Sequence, residues 1–422
     1  LSFLRETVDL CPRLGIHAFA ESLYARIKRH NCYIPIPEDR MRKQLTKAFH
    51  EFTVVQTNMD DPSTHCRALG VPLGECPACR GSQSHLKDIV RKKIAATGAE
   101  GVLVPQEGDG RLVIHSVYVD GHFGIPHFKA AGKSSASEPP LVKRLFSDDA
   151  VAAYLNDPAT KATRNSSLSC ADFSADSMVA RASNQYDRSG ISGLFCRHGV
   201  IIALLNMFTG TLAVPVRERG FSGCTKKSCN VLLVSAGERW AYATMLLEHV
   251  LRQMDCRIIN FWHDINCRYK NHAIAWAEEK QELNEELTTW VSKLMSFPLG
   301  SFHGPMHNAL CQSINSLRSI PEAGLGTGEP PEYAWSHMRR SGHLLQYMSL
   351  ATRALHLERV ALLWNKTRKS NLVQFLVAAY KRADLKYREK TEELRSIMHQ
   401  AVHMKFSLAQ VRAAATILVV CF

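Results

Sequence analysis

Two short apolar runs rich in β-branched residues, each ending on an aspartate, lie far apart in a chain otherwise patterned for helix. Arg111-Leu-Val-Ile-His-Ser-Val-Tyr-Val-Asp120 follows the turn signal Gly108-Asp109-Gly110 and stops at Gly121. Arg257-Ile-Ile-Asn-Phe-Trp-His-Asp264 repeats the pattern much later. Runs of that length and composition read as buried strands. A third candidate strand is Leu194–Met207. Strands so widely spaced must be gathered into one sheet by helical connections, which gives an α/β class.

The helical stretches are equally legible. Residues from Leu1 to about Val104 read as mostly helical, with a turn cluster at Asp60-Asp-Pro-Ser-Thr64. Trp240–Met254 carries apolar residues at helical spacing, and Asn271–Met295 reads as one long charged amphipathic helix. Helix resumes from Pro331. Leu372–Val411 contains neither Pro nor Gly and is dense in Lys, Arg and Glu, so it reads as one long helix or a broken pair. Residues 131–190 are polar and rich in Ser, Ala and Asp, the character of an insertion. The implied division is a helical region over 1–105, a core over 106–340 with insertions at about 128–190 and 211–236, and a helical region over 341–422.

With 422 residues the chain can bury a sizeable core, and 45% apolar against 22% charged residues excludes wholesale disorder. Lys plus Arg number 52 and Asp plus Glu 39, a formal charge of +13 with a pI near 9.2, which favours an acidic partner such as nucleic acid. A basic enzyme surface without a polyanion is the plainer reading. Ile191–Met207 is interrupted by Arg197 and His198, and Ala413–Phe422 is about half the roughly 20 residues of a membrane span, so no membrane partner is expected. No signal peptide stands at the start. The chain begins with Leu1, and is expected to be a piece of a longer product.

Asp120 and Asp264 close their runs at the place where ligands meet an α/β sheet. Two carboxylates side by side repel unless cations lie between them, and hard oxygen ligands suit Mg²⁺ or Mn²⁺. A third acid from a following helix would complete a two-metal site for phosphoryl transfer. Glu332, which opens the helical stretch containing Trp335 and Met338, is placed for that role. Asp172 and Asp187 are substitutes for the first acid, and Glu329 for the third. An aspartate at a strand end is, on its own, most often a turn former.

Thirteen irregularly spaced cysteines suggest reduced thiols and metal ligands rather than a disulfide scaffold. Cys76-Pro-Ala-Cys79 is half a zinc site or two reduced loop thiols. His303, His307 and Cys311 recur every fourth residue. On one straight helix the first and last would be about 12 Å apart, too far for one tetrahedral Zn²⁺. Either His303 precedes the helix and folds back, or His307 and Cys311 recruit remote partners, Cys267 foremost and Cys170, Cys196 and His198 after it.

Several phrases, in order, resemble the Kyakuja-Dileera-Zisupton (KDZ) transposases. They are Val119-Asp120-Gly-His-Phe123; Gly190-Ile-Ser-Gly-Leu-Phe-Cys196-Arg-His198-Gly199; Gly237-Glu-Arg-Trp-Ala-Tyr242; His263-Asp264-Ile-Asn-Cys267; Phe302-His303-x3-His307-x3-Cys311-Gln312; and Gly328-Glu329-x2-Glu332-x2-Trp335-Ser336. Cys76-x-x-Cys79 also fits the family's upstream Cys-Pro-x-Cys region. The resemblance implies an RNase H-like DDE core and a cut-and-paste DNA transposase. Asp120, Asp264 and Glu332 would be the catalytic triad, holding Mg²⁺ or Mn²⁺. Structural Zn²⁺ would sit on Cys267, His303, His307 and Cys311, with Cys76, Cys79, Cys196 and His198 as further metal ligands. Double-stranded DNA, both transposon ends and target, would be the partner, bound by a homo-oligomer in the nucleus. The residues that touch DNA are unassigned; Lys381, Arg382, Lys386, Arg388 and Lys390 are candidates, or simply a solvated helix face.

The sequence departs from the family pattern at His263, at Tyr333-Ala334 and at Pro330-Pro331, changes that bear on activity more than on fold. The alternative is therefore a catalytically inactive, transposase-derived DNA- or chromatin-binding protein. A helical interaction protein with a metal-stabilised core is a third class. The basic stretch Thr211–Ala236, with Cys224 and Cys229, interrupts the family-like junction. It reads as a surface excursion, either a DNA- or zinc-binding loop or translated intron sequence.

Overall fold

A computed structural model describes residues 2–10, 16–29, 37–60, 76–81, 83–99, 101–106, 111–132, 142–161, 185–209, 240–280, 283–301, 304–317, 320, 323 and 330–403. The stretch 211–236 and the residues Cys170, Asp172, His303 and Glu329 lie outside them.

The amino-terminal helices are α1 (Ser2–Leu10), α2 (Ile16–Arg29), α3 (Glu38–Asp60), α4 (Pro77–Arg80) and α5 (Gln83–Thr97). Strands β1 (Leu112–His122) and β2 (His127–Phe128) precede α6 (Asp148–Asn156); β3 (Tyr186–Cys196) and β4 (Ile201–Phe208) form a hairpin. Then come α7 (Trp240–Glu248), β5 (Cys256–Trp262), α8 (Asn266–Glu279), α9 (Glu285–Thr289), α10 (Ala309–Asn315), α11 (Pro330–Met338), α12 (Gly342–Leu345), α13 (Leu350–Ser370) and α14 (Leu372–His403).

The protein is mixed α/β; among the described residues there is one five-stranded mixed sheet. β1 lies at its centre, antiparallel to β3 on one side and parallel to β5 on the other; β4 and the short β2 both pair with β3 antiparallel. A parallel bridge from Asn260 to Ser296 continues the sheet beyond β5. β5 is buried along its whole length, in keeping with its mostly apolar sequence; its two polar residues have partners, Arg257 in Asp255 and Glu286 and Asn260 in the His115 carbonyl. Alternation on β1 sorts the two faces. Val117 and Val119 join the cluster of α5, α7 and α8, whereas Tyr118 joins Trp262, Trp335 and Leu357 on the opposite face.

α13 is clamped to that second face by polar pairs. The Arg144 guanidinium lies 2.5 Å from the Glu358 carboxylate, and Arg144 N–H donates to the same carboxylate at 2.9 Å. Arg353 donates to the carbonyls of Ile125, Pro126 and Leu345. Asn365 exchanges two 2.8 Å hydrogen bonds with the backbone of Ile201, and Arg359 pairs with Asp9, tying α1 to α13.

Three expectations need correction. Leu194–Met207 is not one strand: Arg197-His198-Gly199 turns the chain, Gly199 at φ +79°, and the apolar run becomes a hairpin. Asn271–Met295 is not one helix. α8 ends at Lys280, whose ammonium turns inward to Asp157 and Glu248, and Asn284 starts α9 by accepting from Leu287 N–H at 2.8 Å. The region 131–190 is not wholly an insertion, because α6 packs on the core and β3 begins at Tyr186. The long terminal helix runs over Leu372–His403.

Glu358 is 1% exposed at its side chain, so removing its partner strands a buried charge. Arg144→Met is expected to cost about 3–5 kcal/mol of unfolding free energy, read from urea melts.

Candidate functional site

The β1–β5 register determines where the acids lie. Tyr118 is the last β1 residue paired with β5, opposite Trp262; two residues further on, Asp264 lies beyond the end of β5, whereas Asp120 does not end its strand as expected but sits within β1, opposite Gly193 of β3. Asp264 stands in the turn between β5 and α8. Glu332 enters from the first turn of α11. The three acids line one small, open pocket, together with Tyr118, Val119, Trp262, His263, Gly300 and Pro331.

Asp120 is held at both oxygens. Gly121 N–H donates to Oδ1 at 2.8 Å, and Trp335 Nε1–H donates to Oδ2 at 2.7 Å. Trp335 lies one turn beyond Glu332 on α11, so a single indole ties the helix carrying the third acid to the strand carrying the first. The indole stacks on His122, with centroids 5.3 Å apart, and meets Phe195 edge-on at 5.1 Å. Gly193, opposite Asp120 on β3, leaves the necessary space: a Cβ there would lie 2.8 Å from Trp335 Cη2. Burial, and then the charge of Arg339, press His122 down to about 4, while Glu332 pulls the other way. The imidazole beside the acids is therefore neutral near pH 7. Burial also holds the Tyr118 phenol protonated.

Two cysteine–histidine clusters lie elsewhere. In the first, Cys76 and Cys79 bracket the start of α4, where Cys79 N–H donates to the Cys76 carbonyl at 3.0 Å. Cys196 and His198 come from the β3–β4 turn. His198 Nδ1 lies 3.4 Å from each of the Cys76 and Cys79 sulfurs and 4.0 Å from that of Cys196. All four ligand atoms lie within 4.8 Å of one another. A tetrahedral Zn²⁺ with bonds of about 2.0–2.3 Å separates its ligand atoms by roughly 3.5–3.8 Å. An imidazole N–H can satisfy only one of the three sulfurs. The Cys196 and Cys79 side chains, with His198, favour a thiolate at Cys76, whereas burial pushes Cys196 up to about 12. The donor set suits zinc.

The second cluster joins Cys267, in the first turn of α8, with His307 and Cys311. His307 Nδ1 lies 3.6 Å from both sulfurs, and its Nε2 is 3.1 Å from the carbonyl oxygen of Asp264. A carbonyl only accepts, so Nε2 carries the proton and Nδ1 turns its lone pair to the sulfurs, the tautomer a metal ligand needs. Cys196 and His198, remote candidates on sequence grounds, are not partners of His307, because the hairpin turn commits them to the first cluster. Asp187 is likewise drawn away from the acids, against His127 at 2.6 Å. Lys381, Arg382, Lys386, Arg388 and Lys390 all lie exposed on α14, where Arg388 pairs with Asp384 and Lys390 with Glu393.

Residues 222–365 match the sequence model of the Kyakuja-Dileera-Zisupton transposase family. The KDZ match contains Asp264, Glu332, Cys267, His307 and Cys311, and begins inside the stretch read as an excursion. Asp120 and the Cys76–His198 cluster precede it. The match supports a transposase-derived protein, and with it nucleic-acid binding in general. No curated protein and no solved structure matches the chain. Among the described residues no helix is long and apolar enough to cross a membrane.

Sequence reasoning missed Trp335 as the partner of Asp120 and did not join Cys76-x-x-Cys79 to Cys196-x-His198. The available signal for the second was the paired spacing, a two-ligand knuckle on each side. Gly193→Ala should displace the Trp335 indole. The expected result is a shifted Trp335 N–H resonance, assigned with Trp335→Phe, and a loss of about 1–3 kcal/mol from overpacking.

Proposed function

We propose that the protein is a DDE-type DNA transposase of RNase H-like fold, a metal-dependent enzyme that cleaves DNA strands and transfers their ends. The observation that carries this reading is the convergence of Asp120, Asp264 and Glu332 on one pocket at the carboxyl edge of β1 and β5. The sheet supports it: three antiparallel strands followed by one parallel to the first is the order an RNase H-like core requires.

Asp120 comes from within β1, Asp264 from the turn after β5 and Glu332 from α11, an all-oxygen donor set that fits Mg²⁺ or Mn²⁺. When bound there, such ions neutralise charge at the scissile phosphate and activate water or a DNA 3′-hydroxyl. The protein's own contribution is positional. Trp335 and Gly121 fix the Asp120 carboxylate. The β1–β5 register fixes Asp264 beside it. Neutral His122 adds no cation to compete for the acids. The net charge of +13 supports binding to the phosphate backbone, and chromosomal DNA as substrate implies work in the nucleus.

Zinc at the two cysteine–histidine clusters is part of the proposal, with a structural role. Cys76, Cys79, Cys196 and His198 make a complete Cys₃His set. Cys267, His307 and Cys311 provide three ligands, and His303, four residues before His307, is the proposed fourth.

Plasmid nicking in Mn²⁺ tests the catalytic reading. Wild-type protein should nick supercoiled DNA, and Asp264→Asn should lower the rate by at least about a hundredfold while salt-sensitive DNA binding persists. Binding without metal-dependent cleavage in the wild type would instead identify the non-catalytic, DNA- or chromatin-binding derivative. Metal analysis addresses zinc separately. Protein purified without chelator should carry about two zinc ions per chain, with Cys79→Ser and Cys267→Ser each losing about one. Full retention in either variant removes that cysteine from its site.

A further inference from the structure

α14 carries a seam that its own core does not cover. Leu372 and Phe375 pack the start of the helix against the Cys76–Cys196 cluster. On another side, apolar residues recur every seven positions: Val373, Tyr380, Tyr387 and Leu394 in one row, Leu376, Ala383 and Ile397 in the next, with Lys390 completing the second row. Val373, Tyr380 and Tyr387 are 72%, 73% and 72% exposed, and Leu394 and Ile397 are 48% exposed. A seven-residue period selects a second helix as the occupant, because only a left-handed supercoil keeps such rows in register.

We propose that α14 pairs with α14 of a second copy of this chain as an antiparallel two-stranded coiled coil, centred between Tyr387 and Lys390. The rows are complementary to themselves in that arrangement. Tyr380 faces Ile397 of the other copy, Ala383 faces Leu394, and Tyr387 faces Lys390, so large residues meet small ones and the lysine stem lies along a tyrosine ring. Beside the seam, Lys386 of each copy faces Glu393 of the other, giving two opposite-charge pairs by symmetry. Sliding the helices by one heptad either way sets Lys386 against Lys386 or Glu393 against Glu393. A parallel pair would set Lys390 against Lys390 inside the seam. The charges therefore choose both direction and register. From Tyr380 to Ile397 the paired stretch is about 26 Å long.

The test uses the full chain without DNA. Light scattering and sedimentation at tens of micromolar should give twice the 47.2 kDa chain mass. Leu394→Asp should give the monomer with its helical circular dichroism intact. Lys386→Glu alone and Glu393→Lys alone should each weaken the dimer by about tenfold, because each sets like charges face to face. Mixing these two variants should restore wild-type affinity in a heterodimer, since both cross pairs are then opposite in sign. A monomeric wild-type chain, or a dimer that survives Leu394→Asp, would overturn the seam. A dimer lost in Leu394→Asp but indifferent to both charge variants would overturn the antiparallel register.

Discussion

The parallel pairing of β1 with β5 is the constraint on which the rest depends. It aligns two strands separated in sequence by the β3–β4 hairpin and α7. Ser116 faces Asn260 in this register, and the Asn260 amide donates across it to the His115 carbonyl at 3.2 Å. Because side chains alternate, a slip of one residue would send one of the two aspartates to the opposite face of the sheet. The register brings two carboxylates to one pocket, at a repulsive cost that grows as water is excluded. Strand pairing and the buried run of β5 supply what offsets that cost. The acids are held together by a sheet that is stable for other reasons, and the charge this concentrates at the strand ends is what a divalent cation would relieve.

A second constraint follows from the first. Glu332 lines the pocket from a helix that closely approaches β1 and β3, and Gly193 permits that approach. Its missing side chain lets Trp335 lie against β3 and donate to Asp120, so α11 docks by a hydrogen bond to the group it must stand beside. The clusters at the margins act where the sheet does not reach. One joins the loop before α5 to the β3–β4 turn. The other joins the start of α8 to the segment leading into α10. His307 contacts both a cluster and the backbone of Asp264, so order in that cluster is transmitted to the second acid.

Much of this was legible in the sequence, for identifiable reasons. The strands that carry Asp120 and lead to Asp264 are rich in β-branched residues and bounded by turn residues, so composition revealed them, although β1 runs on to His122 and β5 stops at Trp262. Glu332 was legible because it opens a helix and carries an indole one turn later. The hairpin inside Leu194–Met207 was harder to see. Both its arms are buried apolar strands, and only Arg197-His198-Gly199 marks the turn. The break in Asn271–Met295 was hidden because Lys280 looks like a surface cation, whereas tertiary contacts with Asp157 and Glu248 draw it inward. The two-ligand spacing of each half was visible, but that Cys76 and Cys79 meet Cys196 and His198 depends on long-range topology.

The carboxyl-terminal helix shows how local docking sets long-range geometry. Before α14 begins, Trp364 donates to the Gly199 carbonyl at 2.7 Å, and Arg368 donates to the His198 carbonyl at 2.9 Å. The same hairpin turn that supplies two ligands to the first cluster thus fixes the end of α13. Asn371 closes α13 and Phe375 then packs beside that cluster, so the direction in which α14 leaves the body is set by the turn at residues 196–200. A seam aimed by contacts with the core holds two copies in a fixed relation, which a seam on a flexible tether would not. With a two-fold axis near residue 388, the two pockets would keep one separation and orientation. That relation matters for any reaction requiring two DNA ends to be handled together, because it would be determined by the sheet, the turn and the helix rather than by the DNA.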